Sequence, residues 1–212
     1  MRKFVPAFMG LAMVVTLAAP QQAVAWSTQG GEIVPMNQYA GTVGVGYPGL
    51  RGMVHIPVMQ DFEIAPSLWF YFGQNTAAPV VGDIFSVQLK YRVFKKGHFQ
   101  IALAADPGVV LNYHPAFGVG IRLGLPQLMM SWVDLIPKLS LHFGFKMPIT
   151  ISVHPAVAAE IPLLANFGVE YSVNNWINVF GYFDMGVALG VAGSAVAASF
   201  SPNVVLGAAF KF

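Results

Sequence analysis

Eight residues spread along the sequence, Glu63, Lys90, Arg92, Arg122, His142, Lys146, Glu170 and Asp184, form a polar set in a chain that otherwise carries little charge. Each sits within a run of alternating apolar residues, so each is expected on the polar face of a strand. Acids and bases enclosed together pair and hydrogen-bond, which fixes register. A surplus of Lys90, Arg92, Arg122 and Lys146 would instead draw an anion inward, and the sequence leaves both uses open. Nucleophilic chemistry has thinner material. Ser152 stands two residues from His154, and Asp83, Asp106 and Glu160 are carboxylates that a fold could bring near. His114-Pro115-Ala116 and His154-Pro155-Ala156 repeat one motif. Two such histidines could share a metal ion, but no further ligand stands at close spacing, and X-Pro more simply ends a strand. His142 is placed on the polar face and His98 in a turn. The glycines Gly41, Gly44 and Gly46 lie in an alternating stretch without a following helix, so they are not a phosphate loop. No catalytic residue, metal or cofactor is expected, and the protein is expected not to be an enzyme.

Strands must position this set. Phe85, Val87, Leu89, Tyr91 and Val93 share one face, and Ser86, Gln88, Lys90 and Arg92 the other. The same period places Leu139, Leu141, Phe143 and Phe145 opposite Ser140, His142 and Lys146. Further alternation predicts strands near 62–72, 84–94, 99–111, 117–128, 139–152, 161–173, 177–189 and 203–212. Turn signals separate them: Lys95-Lys96-Gly97-His98, Asn174-Asn175, and a longer link from Gln74 to Gly82 containing Pro79. The stretch from Gly41 to Val58 also reads as extended and is split by Pro48-Gly49. As a hairpin it raises the count from eight to ten, the preferred number.

Composition names the solvent. Hydrophobic residues make up 56% of the chain and charged residues only 9%, against roughly a quarter in soluble domains. Apolar runs are broken by Gly, Pro, Asn or Asp before the ~18 residues of a spanning helix. A closed barrel is the other way to satisfy every backbone group in lipid. A soluble sandwich alternates too, but its outward face would carry more charge. The fold class expected is therefore all-β: a closed antiparallel up-and-down transmembrane β-barrel of 8–10 strands. Trp69, Tyr71, Tyr91, Tyr113, Trp132, Tyr171, Trp176 and Tyr182 fall towards strand ends, where aromatic girdles form, with some pointing inward.

Residues 1–25 read as a secretory signal peptide: basic Arg2 and Lys3, an apolar stretch from Phe4 to Ala19, and Ala23-Val24-Ala25 as cleavage site before Trp26. Removing Arg2 and Lys3 from the 11 basic residues leaves as many bases as the 9 acids, so no positive excess remains for nucleic acid. The absence of cysteine excludes a disulfide scaffold, thiol catalysis and cysteine-ligated metal. Residues 26–212 are expected to be one domain, a barrel preceded by a short periplasmic segment at about 26–40.

Signal peptide, alternating strands and terminal Phe212 together resemble the small bacterial outer-membrane β-barrel proteins, over essentially the whole mature chain. That resemblance implies an outer-membrane address reached by the general secretory route, and Phe210 and Phe212 as the signal read by the barrel-assembly machinery. It also implies contact with the lipid bilayer and lipopolysaccharide, a monomeric state, and both chain ends on the periplasmic side. The short external loops depart from adhesin and phage-receptor barrels. The role expected is structural or passive, including a narrow conduit for small solutes. The alternatives are lumen or loop binding of a lipid or anion, and a lipid-A-modifying or other outer-membrane enzyme.

Overall fold

The computed structural model describes residues 25–72, 80–124 and 127–212. The expected signal peptide therefore lies outside the described residues except for Ala25. The described strand segments are β1 (Ala40–Tyr47), β2 (Gly49–Met59), β3 (Phe62–Phe72), β4 (Val81–Lys96), β5 (Phe99–Ala105), β6 (Gly108–His114) and β7 (Gly118–Arg122). There follow β8 (Gln127–Ile136), β9 (Leu139–Lys146), β10 (Thr150–His154), β11 (Ala158–Ser172), β12 (Ile177–Ala192), β13 (Ala195–Phe200) and β14 (Asn203–Lys211). Four pairs of segments, β5 with β6, β7 with β8, β9 with β10 and β13 with β14, are single barrel strands with an interruption. Three interruptions fall at Pro107, Pro148 and Pro202, which have no N–H to give to a ladder. The wall is a closed, ten-stranded antiparallel up-and-down barrel, sealed where β1 pairs β14 from Ala40↔Lys211 to Tyr47↔Val204.

Period-2 alternation decides which way each side chain points. On β4, Phe85, Val87, Leu89 and Tyr91 are exposed on the lipid side, and Ser86, Gln88 and Lys90 are buried in the lumen. The 41–58 stretch forms the hairpin β1–β2 and settles the count at ten. The last barrel strand differs from expectation: it begins at Ala195, not near Asn203, and its first six residues form an upper hairpin with β12. The run from Ala195 to Ala198 is small and apolar throughout, so it carries no period-2 signal to read. The short turns after β2, β4, β8 and β11 share one end of the barrel with both ends of the barrel wall, where Phe212 and Tyr39 exchange backbone hydrogen bonds. We call this the terminal end and the other the loop end. His114 and His154 close β6 and β10 at the loop end.

Of the segment at about 26–40, expected to precede the barrel on its periplasmic side, residues 26–34 occupy the interior of the terminal end, while Pro35, Met36, Asn37 and Tyr39 are exposed. Trp26, Ser27, Thr28, Ile33 and Val34 are buried there. Trp26 and Val34 pack with Ala40, Phe180, Tyr182, Val205 and Ala209. Burying a large apolar side chain such as Trp26 stabilises by about 1.5–3 kcal/mol. Several inward wall residues at this end are small, Ala40, Ala65, Ala102 and Ala209 among them, which leaves room for the extra chain. Gly30 and Gly31 permit the closest approach. A Cβ on Gly30 would meet Ser131 Cβ at 2.5 Å, and one on Gly31 would meet the carbonyl oxygens of Gln100 and Met129 at 2.9 Å.

Candidate functional site

The segment and the wall are joined by two buried networks. In the first, Glu63 accepts hydrogen bonds from the Val34 amide (3.0 Å) and from His55 Nδ1 (2.7 Å), and Lys90 Nζ lies 3.1 Å from Glu63 Oε1. In the second, Glu170 accepts from the Thr28 amide (3.1 Å), the Thr28 hydroxyl (3.4 Å) and Asn178 Nδ2 (3.1 Å), and Asn178 also donates to the Trp26 carbonyl at 2.6 Å. Ser27 Oγ lies 3.4 Å from His142 Nδ1, and His142 Nε2 lies 3.6 Å from Glu170 Oε2. Glu63, Lys90, His142 and Glu170 are each at most 1% exposed, so water does not reach them from either end. Enclosed charges of this kind persist only when paired and hydrogen-bonded. Glu32 lies on the segment itself, outside the spanning strands. Burial, with the nearby Glu170 charge second, pushes its carboxyl up to about 8.

Above this floor the lumen widens into a cavity of about 780 Å³. Two ion pairs face into it. Arg122 donates twice to Asp106 Oδ2 (2.8 and 3.1 Å), whose other oxygen accepts from Gln127 Nε2 at 2.7 Å. Lys146 Nζ lies 3.0 Å from Asp184 Oδ1, and Asn203 and Asn166 also donate to that carboxylate. Arg51 faces the cavity two residues past the β1–β2 turn. Among the described residues it makes no ion pair, and Tyr182, Asp106 and Asp184 are the polar groups that act on it. The rest of the lining is largely apolar: Trp69, Tyr71, Ile84 and Val110 on one wall, and Leu164, Ala188, Ala197 and Pro202 on another.

The polar set anticipated from the sequence is thus divided by the fold. Glu63, Lys90, His142 and Glu170 build the floor, and Arg122, Lys146 and Asp184 line the cavity. Arg92 joins neither, since it binds Asp61 at the terminal end (2.6 and 2.8 Å) and Gln100 (3.0 Å). All four bases considered for drawing in an anion, Lys90, Arg92, Arg122 and Lys146, have a carboxylate partner, so none is a free cation. The loop-end residues considered for nucleophilic chemistry do not assemble. Ser152 donates to the His154 carbonyl, and Asp83 accepts from the Tyr113 hydroxyl. The serine, histidine and carboxylate that do meet are Ser27, His142 and Glu170, within the floor. Arg51 and His55 were missed because their hairpin had no fixed register in the sequence. Ser27 and Thr28 were missed because nothing in a stretch ahead of the first strand says that it turns inward.

Large apolar side chains outward, a polar interior and a seam closed without free edges suit a bilayer. The protein is an outer-membrane β-barrel. Similar folds among solved structures are themselves outer-membrane barrels. The outer-membrane protease OmpT of Escherichia coli matches at 11% identity over 88% of this chain and 100% of its own, with a TM-score of 0.47. OmpT, an outer membrane protein of Vibrio cholerae, matches at 13% identity over 85% of this chain, with a TM-score of 0.39; this barrel spans 62% of that chain. No protein family and no curated protein matches the sequence. At such identities the likeness extends to the fold alone. It does correct one expectation, that the protein is not an enzyme: a protease stands among the similar barrels, so this architecture gives no ground for denying catalysis.

Proposed function

We propose that this outer-membrane barrel holds a small amphipathic molecule in a pocket that opens at the loop end and stops on a polar floor. The observation that carries the reading is the vertical division of the lumen. A cavity of about 780 Å³ lies within the roughly 300–1,000 Å³ typical of ligand pockets, and the lumen beneath it is occupied by residues 26–34. A passive conduit needs a continuous bore, and the buried Glu63 and Glu170 networks stand in its path. The lining joins an apolar body to fixed charges that are already paired, which favours ligands with apolar bulk and a small polar end. In this reading the barrel acts as a monomer in the bilayer, with lipopolysaccharide around its loop end, after insertion by the barrel-assembly machinery. The test is conductance in a planar bilayer together with displacement of an environment-sensitive apolar dye. A silent barrel that binds the dye saturably supports the pocket. Steady ion-selective openings would replace it with a conduit.

A second reading is catalytic, and one observation favours it. Ser27 Oγ lies 3.4 Å from His142 Nδ1, and the Glu170 carboxylate lies 3.6 Å beyond the other ring nitrogen without a hydrogen bond to it, so a hydroxyl, an imidazole and a carboxylate stand in line, while the adjacent Thr28 and Gln29 line the pocket. Reaction there requires the inner segment to lift so that substrate reaches Ser27. Labelling by a fluorophosphonate that disappears in Ser27→Ala would establish this site. A barrel that stays unlabelled would remove this constellation as its catalytic centre.

A further inference from the structure

The barrel wall is not of even height. β1 stops at Tyr47, opposite Val204, and turns through Pro48 into β2. On the other side of β14, the chain continues upward as the β12–β13 hairpin, where Ala198 pairs Leu189, Ala197 pairs Gly190 and Ala195 pairs Ala192. No described strand pairs with Ala195 to Ala198 on the side away from β12. All four residues are exposed, although a strand in a complete wall buries every second one. Among the described residues the wall therefore dips above the β1–β2 turn, between β13 and β3. The cavity reaches this dip, since Pro48 lines it on one side and Ala197 and Pro202 on the other. Immediately below the turn sits Arg51, the cavity-facing base without an ion pair among the described residues, opposite Trp69 in register.

From the dip, the small apolar surface along β13 and the guanidinium at its foot, we infer that the pocket admits from the side an acyl chain bearing a single acidic head. This rests on the pocket reading above and names its ligand class. The head sits on Arg51, whose fork of donors suits a carboxylate or phosphate. The chain lies against Ala188, Ala197 and Pro202, surfaces that bury methylenes without offering hydrogen bonds. Arg122 and Lys146 do not compete for the head, because Asp106 and Asp184 hold them. Glu160 is the remaining cavity acid. It lies nearer the rim, opposite Thr150 and Gly190, and the charge acting on it is that of Arg122.

The experiment uses the full mature barrel in phospholipid vesicles, with Trp26, Trp132 and Trp176 replaced by Phe so that Trp69 reports from the pocket. Dibromostearic acid, the matching dibrominated alcohol, and a phospholipid with the same brominated chain are added in turn, and quenching of Trp69 is followed. The acid is expected to quench saturably at one site per barrel. Arg51→Gln should weaken the acid by roughly tenfold or more, as loss of a charge-assisted hydrogen bond implies, while leaving the alcohol unchanged. Arg51→Lys should keep most of the acid affinity, and Ala197→Trp should weaken acid and alcohol alike. Quenching by the brominated phospholipid as well would identify membrane lipid as the source, and quenching by the acid alone would identify free fatty acid. Equal affinity for acid and alcohol, unmoved by Arg51→Gln, overturns recognition of the head. Normal binding to Ala197→Trp overturns the side entry. A silent barrel that binds the apolar dye but shows no quenching of Trp69 overturns this inference alone, whereas steady conductance overturns the pocket reading beneath it.

Discussion

Glu63 of β3 and Lys90 of β4 stand directly opposite one another in the ladder, and their charged groups meet 3.1 Å apart inside the lumen with neither side chain exposed. Glu63 also holds His55 and the Val34 amide, so one carboxylate ties three parts of the chain to a single register. Removing one partner of such a pair leaves a buried charge uncompensated, which costs about 3–5 kcal/mol. Lys90→Met is therefore expected to lower the unfolding midpoint of the refolded barrel strongly. Lys90→Met combined with Glu63→Leu should recover part of the loss. A single variant as stable as the wild type in denaturant titration would mean that the pair does not anchor the fold.

The inner segment should be removable from the floor by a single methyl-bearing side chain. Gly31→Val places its Cβ against the backbone carbonyls of Gln100 and Met129, which belong to the wall and cannot step aside. The variant is expected to form the barrel but to expel residues 26–34, and to pass ions where the wild type does not. Planar-bilayer recordings check this, with heat-modifiable gel mobility to confirm the barrel. A folded but silent Gly31→Val barrel would show that the wall residues alone close the lumen.

Glu32 supplies a pH dependence. Burial penalises its charge and pushes the folded-state carboxyl up to about 8, well above the ordinary carboxylate range near 4.5. The folded protein thus retains a proton that the unfolded chain releases, and stability falls as pH rises from about 4.5 to about 8, then levels off. Glu32→Gln abolishes the penalty. Wild type and variant should unfold together at pH 4, with the variant increasingly the more stable up to pH 9. Parallel curves across that range would contradict the burial of this carboxyl.

At the seam, Phe212 donates its N–H to Tyr39 O and accepts from the Tyr39 N–H, and the two rings lie 6.3 Å apart. Phe210 and Phe212 are exposed at the terminal end. Phe212→Ala keeps the backbone bonds but removes the ring. Its expected effect is a reduced yield of heat-modifiable barrel in the outer membrane with near-normal refolding in detergent. Equal losses in both settings would assign the ring to seam stability instead.

Much of the wall was legible because a strand's side chains alternate whatever surrounds them. Phe85 to Val93 displays its two faces in the sequence, and so do Leu139 to Phe145. Lys90 and Glu63 could be assigned to the lumen for the same reason. Their pairing could have been reached only through the β3–β4 register, which the link from Gln74 to Gly82 is too long to fix. The upper part of the last strand escaped because Ala195 to Ala198 carries no polar residue to mark a face. The division of the charged residues into floor, cavity and terminal rim also escaped, since alternation says which way Arg92 and Arg122 point but not how high each stands.

The sequence by itself determined an outer-membrane, closed antiparallel barrel: low charge, broken apolar runs and period-2 alternation have no other solution in lipid, where each backbone group must find a partner. Only the tertiary structure decided that the lumen is a pocket over a floor. That outcome depends on residues 26–34 turning inward to meet Glu63 and Glu170, and on the uneven height of strands joined through β1 and β14. These are contacts between residues far apart in the chain, made by closure of the barrel, and no local pattern encodes them.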